Sequence, residues 1–127
     1  LDAHANAGLY PEPPRLWETL TLEATADGMM EAALSIVYEG RVRPDDKQYA
    51  VWTDAQWGKI IGAATMLEER WLSQLQGRFS MGHIGVACAL GYLDLRLGER
   101  DWRQASPGRA NWYSEISTRP CLADTAP

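Results

Sequence analysis

The segment Phe79-Ser80-Met81-Gly82-His83-Ile84-Gly85-Val86-Ala87-Cys88-Ala89-Leu90-Gly91-Tyr92-Leu93 limits what this 127-residue chain can fold into more than any other stretch. A helix begins abruptly at Ser80, whose hydroxyl can accept a hydrogen bond from a first-turn N–H that has no partner within the helix. Phe79, just before the cap, is placed to staple onto the first apolar positions. Ile84, Ala87, Cys88, Gly91 and Leu95 fall on one face, and Val86, Ala89, Leu90 and Leu93 cover most of the remainder. A helix that is apolar nearly all round belongs inside a bundle. The rest of the chain is therefore expected to wrap this helix, with Cys88 in the core.

The flanking sequence supplies the wrapping. A first long helix is expected from about Pro14 to Glu39, closed by Gly40, since proline suits a first turn and glycine the position past an end. Trp17, Leu20, Ala24, Gly28, Met30 or Glu31, Leu34, Val37 and Tyr38 trace an apolar stripe at helical spacing along it. Arg43-Pro44-Asp45-Asp46 is a turn, and a second long helix runs from about Asp46 to Gln76. Its buried side is read as Trp52, Ala55 or Gln56, Ile60, Ala63, Ala64, Leu67, Trp71 and Leu75. The Ser80 helix runs to Leu97, Ser106-Pro107 opens a fourth helix by the cap-plus-proline rule, and a last short turn holds Leu122. No alternating strand pattern appears anywhere. The fold class is all-α: a helical bundle of four to five helices, two long ones first and a buried central helix from Ser80.

Residues 1–13 lack periodicity and end in Tyr10-Pro11-Glu12-Pro13-Pro14. Leu1-Asp2-Ala3 reads as the tail of an earlier helix, and the residues between it and Pro14 as a linker into the packed domain at 14–127. The net charge of −5 comes without a basic stripe, because Arg41 and Arg43 are answered at once by Asp45 and Asp46. A nucleic-acid partner is not expected. No apolar run approaches the roughly 20 residues that span a bilayer, and the N-terminus lacks a signal-peptide layout, so a cytoplasmic protein without a membrane partner is expected. Two cysteines make neither a disulfide framework nor a zinc site. His83 has no second His or Cys at metal spacing, and no metal is expected.

The order of the pieces resembles one family. Ala26-Asp27-Gly28-Met29-Met30-Glu31 lies on a first long helix, with a second long helix after it. Next come Ser80-Met81-Gly82-His83-Ile84, Ala87-Cys88-Ala89-Leu90-Gly91-Tyr92-Leu93-Asp94, Asp101-Trp102-Arg103, Trp112-Tyr113 and Arg119-Pro120. Over essentially the whole chain this is similar to the C-terminal helical domain of bacterial cytosolic glutathione S-transferases. The resemblance implies that residues 1–13 are the end of a thioredoxin-like domain and the interdomain linker. That domain, absent from this chain, would hold most of the glutathione and the residue that activates its thiol. The implied activity is conjugation of glutathione, as co-substrate, to small hydrophobic electrophiles, by a homodimer engaged in detoxification. The family's central helix usually opens Ser/Thr-x-x-Asp, whereas His83 stands here at the acid's position. A neutral imidazole can accept the same bond less strongly, so Ser80 and His83 are read as a structural cap.

No residue of the chain is read as catalytic. Asp27 lies on an apolar helix, where a carboxylate is costly unless it finds partners or water. By resemblance it matches the acidic residue that reaches toward the γ-glutamyl amine of glutathione held by the other subunit; a solvated Asp on a polar flank is the plainer reading. Met30, Leu34, Val37 and Tyr38 resemble the wall of the electrophile site, adaptable and apolar with one hydroxyl. Apolar residues at this spacing are also what a core requires. The same helical domain occurs in non-catalytic modules that bind protein partners, which is the alternative function.

Overall fold

The computed structural model describes residues 2–126. Leu1, expected with Asp2 to end an earlier helix, lies outside them. In chain order the elements are α1 (Asp2–Ala5), α2 (Arg15–Val42), α3 (Ala50–Leu75), α4 (Met81–Leu97), α5 (Pro107–Ile116) and α6 (Pro120–Ala123), with single 3₁₀ turns at Asp45–Lys47 and Arg103–Ala105. The described residues are all helix, turn and coil, as expected.

The core forms where α4 lies alongside α2. Both helices use small residues at the crossing. A Cβ on Gly82 would come 2.8 Å from Leu22 Cβ, and one on Gly85 would come 3.4 Å from Ala26 Cβ. Around this contact Leu22, Ala26, Met29 and Ala33 of α2 meet Val86, Leu90 and Leu93 of α4, all 2 % exposed or less. Helix α3 returns antiparallel against α2 and contributes Ile60, Ala64 and Leu67, all fully buried. Burial of this kind contributes about 1.5–3 kcal/mol per large aliphatic side chain.

The C-terminal third is attached through polar bonds as well as packing. Glu68 of α3 accepts the Gly108 and Arg109 backbone N–H groups at 2.8 Å each, so α5 is capped by a side chain from another helix. A Cβ on Gly108 would fall 2.5 Å from Glu68 Oε1, which is why the carboxylate can reach the backbone there. Trp112 Nε1 donates to the Leu75 carbonyl at 2.7 Å. Asp94 of α4 takes a bidentate pair from Arg103, 2.7 Å for each bond, and a third bond from Trp102 Nε1 at 2.9 Å. Arg109 is fully buried, donates to the Ala64 carbonyl, and has its pKa pulled down to about 10 by burial, with Glu68 acting in the opposite sense.

Several sequence readings need correction. Helix α2 does not stop at Gly40 but continues to Val42 and ends where Pro44 forces Arg43 into extended backbone. The reason is Glu39, buried at the helix end, whose carboxylate accepts the Tyr49 N–H at 2.9 Å and pairs with Arg43 at 3.2 Å. That same bond holds Tyr49 extended, so α3 begins at Ala50 and not at Asp46. Most of the apolar stripe read on α2 faces outward, with only Met30 and Val37 half-buried against the core. Trp17, Leu20, Ala24, Gly28, Glu31, Leu34 and Tyr38 are exposed, while Leu22, Ala26, Met29, Ala33 and Ile36 are inside.

Helix α4 is not enclosed either. Its outer side, Met81, Ile84, Gly85, Cys88, Tyr92 and Leu95, is half-buried or exposed, and Cys88 is at the surface. Trp52 and Ala55 are likewise exposed, as is every residue from Gly40 to Val51. Helix α2, with 28 residues, is about 42 Å long and α4, with 17, about 26 Å, so the α2–α3 hairpin outruns its neighbour.

Gly82→Ala is expected to lower stability by about 1–3 kcal/mol in urea unfolding, because the added methyl meets the Leu22 side chain and the Thr19 carbonyl.

Candidate functional site

The start of α4 is built as anticipated from Ser80. The Ser80 N–H donates to His83 Nδ1 at 3.2 Å, and Ser80 Oγ lies 3.0 Å from the same nitrogen, so the two residues form a capping box with imidazole in the acid's place. Accepting at Nδ1 assigns the proton of the neutral ring to Nε2. That nitrogen is buried and has no hydrogen-bond partner among the described residues. Burial holds the His83 pKa below its ordinary 6.5. The carbonyls of Leu75 and Gln74 pull it upward without closing a bond to Nε2, and Arg119 pushes it further down. Phe79 packs at 5.7 Å from the His83 ring and carries the Arg119 guanidinium 4.2 Å above its own.

Asp27 lies on the exposed side of α2, and the adjacent Gly28 has open space where a Cβ would be. The cost argument for a buried carboxylate therefore does not apply to it within this chain: Asp27 is solvated. It sits midway along the exposed row that runs from Trp17 and Leu20 to Leu34, Tyr38 and Val42. Met30 and Val37 are half-buried at the edge of the core, whereas Leu34 and Tyr38 are 44 % and 55 % exposed. These four share one side of the helix, and the hydroxyl of Tyr38 has no partner among the described residues. The structure thus aligns Asp27 with Leu34 and Tyr38 on a surface and does not enclose them in a cavity.

Other polar groups were not anticipated from sequence. The carboxylate of Asp2 accepts the Leu9 and Tyr10 N–H groups at 2.8 and 3.0 Å, which lowers its pKa, and the Leu9 carbonyl accepts the Met81 N–H at 3.0 Å. Tyr10 donates to Glu23 at 2.8 Å, a bond that raises its pKa. Residues 2–14 are thereby strapped onto α2 and α4. No sequence signal links Asp2 or Glu23 to these partners. Cys88 is no activated thiol, since partial burial of its sulfur pushes its pKa up. Among the described residues no group of three His, Cys, Asp or Glu is gathered to hold a metal, and no helix is long and apolar enough to cross a membrane.

Compared with known families, residues 50–115 match the model of the glutathione S-transferase C-terminal domain. The chain belongs to that family. Among solved structures it is similar to a glutathione transferase family member from Pseudomonas fluorescens Pf-5, seen with bound S-(propanoic acid)-glutathione. The identity is 42 % and the TM-score 0.91, covering 94 % of this chain and 62 % of that one. A second structure from that organism, with bound glutathione, aligns at 42 % identity and TM-score 0.90, over 94 % of this chain and 58 % of that one. A glutathione S-transferase from Methylobacillus flagellatus KT with glutathione bound aligns at 33 % identity and TM-score 0.80, over 94 % of this chain and 60 % of that one. A search of the curated proteins gives no match. The chain spans less than two thirds of the length of these transferases.

The His83 cap is expected to make stability pH-dependent. The unfolded chain takes up a proton near pH 6.5 and the folded chain resists it, so stability is expected to fall as pH drops from 6.5 toward the lowered folded value. His83→Asn, which keeps an acceptor but cannot titrate, is expected to remove that slope. Urea unfolding at about pH 7 and about pH 5.5 provides the measurement.

Proposed function

We propose that the chain is the helical half of a glutathione transferase, which conjugates glutathione to small hydrophobic electrophiles once joined to a thioredoxin-like domain. The observation that carries this reading is the pair of uncovered apolar faces on an otherwise packed bundle. One is the outer side of α4, with Met81, Ile84 and Cys88 half-buried or exposed and Leu95 48 % exposed. The other is the outer row of α2, with Trp17 63 % and Val42 68 % exposed. Large apolar side chains exposed along one face are typical of contact sites. The α4 face suits the chain's own thioredoxin-like domain, because the strap that would lead from that domain is bonded to the first turn of α4. The α2 row suits a second copy of the chain.

In this assignment Asp27, solvated here and set within the α2 row, receives the γ-glutamyl ammonium of glutathione held by the other subunit. Met30, Leu34, Val37 and Tyr38 form one wall of the electrophile site. The half-buried Met30 and Val37 give it an apolar floor, and the free Tyr38 hydroxyl gives it a hydrogen-bonding handle. The thiolate is generated elsewhere, by a hydrogen-bond donor in the thioredoxin-like domain, which lowers the thiol pKa. The glutathione found in the similar structures supports the co-substrate.

The chain alone is expected to show no conjugation of glutathione to a chloronitroaromatic electrophile. With the thioredoxin-like domain attached, turnover is expected, and Asp27→Ala should raise the KM for glutathione roughly tenfold, the loss expected for one charge-assisted hydrogen bond. An unchanged KM retires the role of Asp27. A joined protein that neither turns over nor binds glutathione supports the alternative of an interaction module.

A further inference from the structure

A cavity of about 340 Å³ opens beneath the strap, where four parts of the chain converge. Its walls come from Gly8 and Pro11 of the strap, the first turn of α2, the end of α3 with the turn after it, and the start of α4. The strap wall is fixed in place by the Asp2 bonds to Leu9 and Tyr10 and by the Leu9–Met81 bond. The opening is therefore part of the packed structure and not a gap beside a loose end. None of Asp27, Met30, Leu34, Val37 or Tyr38 lines it.

Its charge differs in sign from that of the whole protein. Arg15 and Arg78 both line the cavity, and among the described residues the ion-paired arginines are Arg43, Arg100 and Arg103, not these two. Both are exposed at the cavity mouth, and Arg78 Nη2 comes 3.0 Å from where a Cβ on Gly8 would stand. Glu18 is the single carboxylate in the wall, which leaves a net charge of +1 in a chain of net −5. The field is strengthened by backbone. Helix α2 begins at Arg15 after Pro14, which offers no side-chain cap, and the Trp17 N–H donates to the Pro14 carbonyl, so at most the Arg15 and Leu16 N–H groups add the positive end of the helix dipole to this side. Gln74 adds an amide, and His83, 4 % exposed, lines the floor.

The remaining wall is apolar. Leu22 and Phe79 line it, and the far side of Phe79 is polarised by Arg119. Two guanidiniums against one carboxylate, beside an aromatic and an aliphatic side chain, match a ligand with one negative charge and a flat apolar body. We infer that this cavity binds a small aryl carboxylate, its carboxylate between Arg15 and Arg78 and its ring against Phe79 and Leu22. Guanidinium forks recognise carboxylates bidentately, which gives the charged end its orientation. Such a ligand touches the strap and three helices at once, so its binding stabilises the junction through which the strap enters the bundle. This inference is independent of the transferase reading, and either can fail without the other.

The test uses isothermal titration of the full chain with benzoate and with its neutral analogue benzamide. Benzoate is expected to bind in the millimolar range and to raise the melting temperature, whereas benzamide does neither. Arg78→Ala and Arg15→Ala should each weaken benzoate binding about tenfold or more, and Glu18→Gln should tighten it severalfold by removing the opposing charge. Circular dichroism checks that each variant keeps its helices; if Arg78→Ala unfolds, Arg78→Gln carries the same expectation. The inference is overturned by any of three results: no benzoate binding up to about 10 mM, equal binding of benzamide, or unchanged affinity in both arginine variants.

Discussion

The approach of α4 to α2 at Gly82 is the contact on which the rest of the structure depends. With no side chain at Gly82, the first turn of α4 settles against Leu22 and the Thr19 carbonyl, and Gly85 repeats the arrangement one turn later against Ala26. The register set there buries Val86, Leu90 and Leu93 over the alanine side of α2. It also places Ser80 and His83 where the turn from α3 arrives, and the Leu9 carbonyl where it can accept the Met81 N–H. Close backbone approach is thus the cause, and the cap, the strap and the cavity beneath it are consequences.

The same contact explains the division between buried and uncovered surface. Helix α4 is apolar around most of its circumference, yet within this chain only one side of it is packed. The two short final elements cannot cover the other side, because α5 is drawn toward α3 by Glu68 and by the Trp112–Leu75 bond. Helix α2 has the same character: Leu22, Met29 and Ile36 pack inward with alanines between them, while Trp17, Leu20, Leu34 and Tyr38 face out. That fits a family in which the helical domain is one part of a longer transferase.

Much of the architecture was legible in the sequence because its signals are local. The Ser80 start, the Ser106-Pro107 start of α5 and the all-helical class rest on caps, proline and periodicity, which act within one or two turns. The faces of α2 were not legible, since Leu22-Ala26-Met29-Ala33-Ile36 and Trp17-Leu20-Ala24-Leu34-Tyr38 both recur at helical spacing. Periodicity cannot choose between two apolar rows. Size separates them in part: the inner row carries Ala26, against which Gly85 comes close, and the outer row carries the bulky Trp17 and Tyr38 beside Ala24. The ends of α2 and α3 were misplaced because Glu39 bonds across the turn to Tyr49, ten residues away.

For the candidate site the sequence identified Asp27, Met30, Leu34, Val37 and Tyr38 as neighbours on one helix, which spacing alone guarantees. It held no sign of Arg15, Arg78 and His83 meeting at one cavity, since they come from three elements joined only by folding. The sequence by itself determined the helices, the Ser80–His83 cap that opens the apolar helix, and the family, because these depend on residue order along the chain. Only the tertiary structure decided which side of that helix is covered and which remains open. Burial depends on which neighbour comes close, and here the absence of a side chain at Gly82 gives that place to α2.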